Sequence, residues 1–146
     1  QISFEKLNQP KSWLQIENKP SSNKEYVQVQ CARLDDFFAN KANPDIVKID
    51  VEGSEFEVLK GMGTLLYQNI KLYIELHGNK RLADFDTTSQ DIICFLIDKG
   101  FEVKEFPSRK ATNINGHVDL IPLNRDSNPG ITMIRACKIS KTQNHG

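Results

Sequence analysis

Cysteine is scarce in this chain, and Cys31, Cys94 and Cys137 stand too far apart to make a CxxC pair. Neither a zinc cluster nor a disulfide scaffold is therefore indicated, and reduced thiols in a cytoplasm fit best. No apolar run approaches the roughly 20 residues a membrane span needs. The opening QISFEKLNQP lacks the basic and apolar regions of a signal peptide. Charge of one sign is also missing: 19 basic and 19 acidic side chains cancel, which removes the electrostatic argument for nucleic acid or an anionic membrane as partner. Glycine is poorly placed for cradling a dinucleotide, because the close pair Gly61 and Gly63 lies inside an amphipathic stretch and follows no strand. The first residue is Gln rather than Met, which points to processing, truncation or a longer reading frame.

What is present suffices for one domain with a real core, since 146 residues at 38% hydrophobic content are too few for two comfortable ones. From Pro44 to Phe106 the chain alternates strand-like apolar runs with stretches of helical period, the pattern of βαβ units and a mainly parallel sheet. Strands are expected at Ile46–Val51, Leu72–His77 and Phe101–Phe106. A helix is expected over 54–68 on Phe56, Leu59, Met62, Leu65 and Leu66, with acidic Glu55 and Glu57 in its first turn and a break at Gly61 and Gly63. A second helix, 88–99, has Thr88 or Ser89 as N-cap, an apolar face of Ile92, Ile93, Phe95 and Leu96, and Gly100 as its stop. The later runs Val118–Leu123 and Ile131–Cys137 read as strands near the sheet edge, and 108–116 and 124–130 as loops. Toward the N-terminus, 8–24 reads as a long loop between two short strands, 26–30 alternates, and 34–39 fits one or two helical turns.

A central parallel strand should be almost continuously apolar, yet two of these carry a charged stripe. The period of two puts Val47, Ile49 and Val51 opposite Lys48, Asp50 and Glu52, and Leu72, Ile74 and Leu76 opposite Tyr73, Glu75 and His77. If the two strands are parallel neighbours, Asp50, Glu52, Glu75 and His77 converge at the carboxyl ends, where open α/β sheets bind ligands. Carboxylates there accept hydrogen bonds from an amino or hydroxyl group, and a histidine beside them can serve as general base. Gly53 permits a sharp turn or close approach of a ligand. The competing structural reading pairs Lys48 with Glu75 and makes Asp50 or Glu52 the cap of the following helix. Nothing is assigned to His117 or His145.

The segments Leu34-Asp35-Asp36-Phe37-Phe38, Pro44-Asp45-Ile46-Val47-Lys48-Ile49-Asp50-Val51-Glu52-Gly53, Phe56-Glu57-Val58-Leu59-Lys60-Gly61 and Ile74-Glu75-Leu76-His77 resemble the FkbM family of methyltransferases, from about Arg33 to Phe106. The resemblance implies a Rossmann-like class I fold, a three-layer α/β/α arrangement with a mainly parallel sheet. It implies S-adenosyl-L-methionine (AdoMet) as methyl donor and O-methylation of a hydroxyl on a sugar, glycan or secondary metabolite. Asp50 and His77 are then the catalytic candidates. Asp50, Glu52 and Gly53 lie on the donor side, and Glu52, Glu75 and His77 on the acceptor side. A divalent metal at Asp50, Glu52 and His77 is possible, but the spacing does not demand one.

The strand, glycine-rich turn and acidic strand end that such a fold places first are absent from the sequence. The expectation is therefore one partial methyltransferase domain lacking its N-terminal cofactor-binding half. An irregular segment 1–32 precedes a βαβαβ core at 33–106, and edge strands and a tail occupy 107–146. Such a half-domain should bind AdoMet weakly and self-associate through an exposed sheet edge unless 1–6 or 26–30 covers it. Two rivals are a non-catalytic remnant whose charged strand faces are internal ion pairs, and another doubly wound AdoMet or nucleotide enzyme.

Overall fold

The computed structural model describes residues 2–5, 16–17, 26–107 and 118–139. His117, His145 and the 108–116 loop lie outside the described residues, as does most of the 8–24 loop. Near the N-terminus β1 (Ile2–Glu5), β2 (Ile16–Glu17) and β3 (Tyr26–Val29) form a separate antiparallel sheet of order β2-β1-β3. A strand thus interrupts the segment expected to be all loop, and β1 and β3 spend their backbone groups on each other, Ile2 opposite Val29 and Glu5 opposite Tyr26. Among the described residues neither adds a strand to the edge of the main sheet.

The main sheet has the order β4-β5-β8-β6-β7, with β4 at Ile46–Ile49, β5 at Lys71–His77, β6 at Phe101–Glu105, β7 at Ile121–Pro122 and β8 at Ile131–Lys138. β4 and β5 are parallel, Ile49 opposite Ile74, as the crossover reading required. Every other pair is antiparallel, so the sheet is mixed and mostly antiparallel rather than mainly parallel. The cause is β8. Expected near the edge, it inserts between β5 and β6, pairing with Lys71–His77 on one side and Phe101–Glu105 on the other. Of the two later strands only β7 lies at an edge, and the other edge is β4, whose Ile46 is 58% exposed.

One face of this sheet carries the core: Ile49, Leu72, Ile74, Leu76, Phe101, Val103, Ile134 and Ala136 are all buried there. Helices α2 (Glu55–Gly61), α3 (Gly78–Leu82) and α4 (Ser89–Asp98) and the 3₁₀ turn Gly63–Tyr67 cover it with Leu59, Met62, Leu65, Leu66, Leu82, Ile92, Ile93 and Leu96. The short α1 (Leu34–Phe38) adds Leu34 and Phe38 to the rim. Among the described residues the opposite face, with Tyr73, Glu75 and His77, carries no helix, so two layers are seen where three were expected.

The expected break of the first helix occurs at Met62, and Gly63 adopts φ +45° as α-helix gives way to 3₁₀. α4 begins on a capping box: the Asp91 amide donates to Thr88 Oγ1 at 3.2 Å, and the Thr88 amide donates to Asp91 Oδ2 at 2.8 Å. It stops at Gly100 with φ +79°. Helix α3 was not anticipated. Its five residues are too few for a periodic apolar signal, and Leu82 alone supplies a fully buried side chain.

Candidate functional site

Two chain turns build the site. β4 ends at Ile49, and the chain reverses through Glu52 at φ +55° and Gly53 at φ +111° before α2 begins. The Ser54 hydroxyl closes that turn by donating to the Val51 carbonyl at 3.0 Å. Parallel to β4, β5 runs on to His77 and then turns at Gly78, φ +72°. Both turns therefore leave their polar side chains at the carboxyl ends of adjacent parallel strands, on the side of the crevice rule.

Of the two uses expected for Gly53, the sharp turn is the one the geometry displays. A Cβ there would lie 3.0 Å from the Arg81 carbonyl oxygen and 3.1 Å from its Cβ, in a φ region that side chains rarely adopt. Gly53→Ala is accordingly expected to lower stability by about 2 kcal/mol. Chemical denaturation of the two proteins side by side measures this, and an unchanged midpoint would show that the turn relaxes freely.

The residue that organises the cluster is Glu55, which sequence reasoning placed only as a helix-dipole partner. It is fully buried. Its Oε1 accepts a hydrogen bond from the Gly53 amide at 3.0 Å and lies 2.6 Å from His77 Nδ1. Because Oε1 already acts as acceptor toward the amide, the carboxylate is read as acceptor toward the ring as well. Nδ1 is then the protonated nitrogen, and in the neutral ring Nε2 carries the lone pair. Nε2 faces Glu52 Oε1 at 3.6 Å and Asp50 Oδ1 at 3.8 Å, too far for direct hydrogen bonds. The sequence signal was a Glu two residues past the turn glycine Gly53, which surface placement in a first helical turn explains equally well.

Lys48 bonds Asp50 Oδ2 at 2.7 Å, not Glu75, and this contact holds the Asp50 carboxyl below the usual carboxylate range. The other oxygen, Oδ1, is the one turned to the imidazole. Neither Asp50 nor Glu52 caps α2, whose N-cap is Ser54 without a side-chain cap bond. The four residues singled out by strand periodicity thus lie around one ring: Asp50, Glu75 and His77 have donor atoms within 4.8 Å of one another, and Glu52 completes the group. A groove of about 740 Å³ lies nearby, lined by Cys31–Leu34, Val51 and Val58, but it includes none of these side chains.

The FkbM methyltransferase domain model matches residues 3–103, from within β1 to within β6. The chain belongs to the FkbM methyltransferase family. No curated protein and no solved structure matches it. The family match reaches about thirty residues further toward the N-terminus than the motif resemblance did, so the small β1–β3 sheet falls within the matched segment. The His77 cluster lies within the same FkbM segment, on the turn after β4, on β5 and on the first turn of α2.

Proposed function

We propose that this FkbM methyltransferase transfers the methyl group of AdoMet to a hydroxyl oxygen of a small molecule or glycan, with His77 as the base. The observation that carries this is the imidazole pinned at Nδ1 by buried Glu55, with Nε2 facing Asp50 and Glu52 and with Glu75 in the same cluster at the strand ends. AdoMet supplies a sulfonium-activated methyl group. With the donor bound, methylation of the acceptor oxygen would leave the carbon–sulfur electrons on sulfur, and His77 Nε2 is the group placed to take the hydroxyl proton. Asp50 and Glu75 are suited to accept hydrogen bonds from the acceptor's neighbouring hydroxyls.

The residues present fit one end of the donor. Its sulfonium and ammonium groups are cationic, and Asp50 and Glu52 are carboxylates at the turn where that end would lie, with Gly53 shaping the turn. Its adenosine end finds no glycine-rich strand-to-helix turn anywhere in residues 1–146, so weak donor binding by this chain is expected. The common direction of β4, β5 and β6, which follows from the pairings, supports the Rossmann-like class.

Incubation with labelled donor at millimolar concentration and a panel of hydroxylated sugars tests the reading. Label is expected on oxygen, and His77→Ala is expected to lower turnover by about 10²–10⁴-fold. Turnover of His77→Ala equal to the parent, or label found only on nitrogen, would falsify the assignment of His77. No transfer under any condition would favour the remnant reading.

A further inference from the structure

We propose that Asp50, Glu75 and His77 form a binding site for a divalent metal cation, with Glu55 as the outer carboxylate that orients the imidazole. One donor atom from each of the three lies within 4.8 Å of the others. Two donors bonded to one ion at about 2.1 Å stand about 3.0 Å apart at a right angle and about 4.2 Å apart across it. The 3.8 Å from His77 Nε2 to Asp50 Oδ1 falls between these separations and is too long for a hydrogen bond. Lys48 occupies Oδ2 of Asp50 and leaves Oδ1 for the ion.

A second, independent observation points the same way. Glu55 is wholly buried, its Oε1 holds Nδ1 at 2.6 Å, and its Oε2 has no hydrogen-bond partner among the described residues. A carboxylate that fixes the far nitrogen of an imidazole is the usual outer shell of a metal-ligating histidine, because it sets the tautomer and strengthens the ligand. Two carboxylates and one imidazole suit a borderline-hard ion such as Mn²⁺, and three protein ligands leave positions open for water or a hydroxyl.

The site does not rest on methyl transfer. An ion there takes up the Nε2 lone pair used in the transfer step, so the two roles of His77 alternate.

Titration of the purified chain with manganese chloride, followed by calorimetry and by the electron paramagnetic signal of the free ion, tests the proposal. One saturable site with a dissociation constant below about 1 mM is expected. Glu75→Gln, Asp50→Asn and Glu55→Gln should each weaken it by about tenfold or more. Glu102→Gln, at an exposed carboxylate on β6 paired with Lys104, should leave it unchanged. Circular dichroism establishes that each variant is folded, and the exposed Asp50 keeps the test open if Glu55→Gln unfolds. No saturation, or equal weakening by Glu102→Gln, overturns the site. No manganese binding by the unsubstituted chain with label transfer intact counts against the cation alone, and manganese binding without transfer counts against the transferase reading alone.

Discussion

Glu55→Ala is expected to lower folding stability by about 2–3 kcal/mol, although it removes a buried charge. Two effects compete. Oε2 lacks a partner among the described residues, so deleting it relieves a desolvation cost of about 1–3 kcal/mol. Against this, Oε1 accepts from the Gly53 amide and from His77 Nδ1, and alanine leaves the buried amide and the ring nitrogen without their acceptor. Each lost charge-assisted bond is worth about 1.5–3 kcal/mol, and the vacated space adds a packing loss. The loss side wins.

Glu55→Gln keeps an acceptor oxygen of the same shape and gives up only the charge, so its cost should be smaller, about 1 kcal/mol. Urea unfolding of the three proteins measures the order. If the alanine variant proves as stable as the parent, the His77–Glu55 contact is not what holds the two turns together. The same substitutions bear on activity: with Nδ1 unpinned, the ring can rotate or change tautomer, and turnover should fall even where folding persists.

The second large effect concerns β8. A chain ended just before Ile131 is expected to lose cooperative unfolding altogether. β8 is the strand that joins the β4–β5 pair to β6, with Leu72, Ala136 and Val103 in one row across the three strands. Without it β5 and β6 have no shared hydrogen-bonding partner, and the buried Ile134 and Ala136 leave the core. A milder substitution at the same place, Ile134→Ala, should cost about 2–4 kcal/mol. By contrast Ile121→Ser, on the edge strand β7 with a side chain half exposed, should change stability by about 0.5 kcal/mol or less. Thermal melts followed by circular dichroism distinguish these outcomes, and similar melting temperatures for Ile134→Ala and Ile121→Ser would show that β8 is not central in solution.

Most of the local structure was legible because its signals are local. Thr88 and Gly100 mark the two ends of α4, and Gly61 with Gly63 marks where α2 loses its α-helical form, as backbone entropy and positive φ require. The alternation in Ile46–Val51 and Leu72–His77 sorted core from polar face correctly, because side chains along a strand have period two whatever the strand pairs with. The Lys48 partner was not legible: both Asp50 and Glu75 lie on its face, and only the side chain's actual course gives the contact to Asp50.

The sequence by itself determined the strands β4, β5 and β6 with α2 and α4 between them, the charged stripe that gathers Asp50, Glu52, Glu75 and His77, and the FkbM resemblance carried by KIDVEG and EVLKG. The tertiary structure alone decided where Ile131–Lys138 goes, since an apolar run with turns on both sides fits an edge or a centre equally and strand order is a long-range choice. It also decided the role of Glu55. Burial and a 2.6 Å contact to a residue 22 positions away depend on how two turns are brought together, and no local pattern in a helix's first turn encodes that.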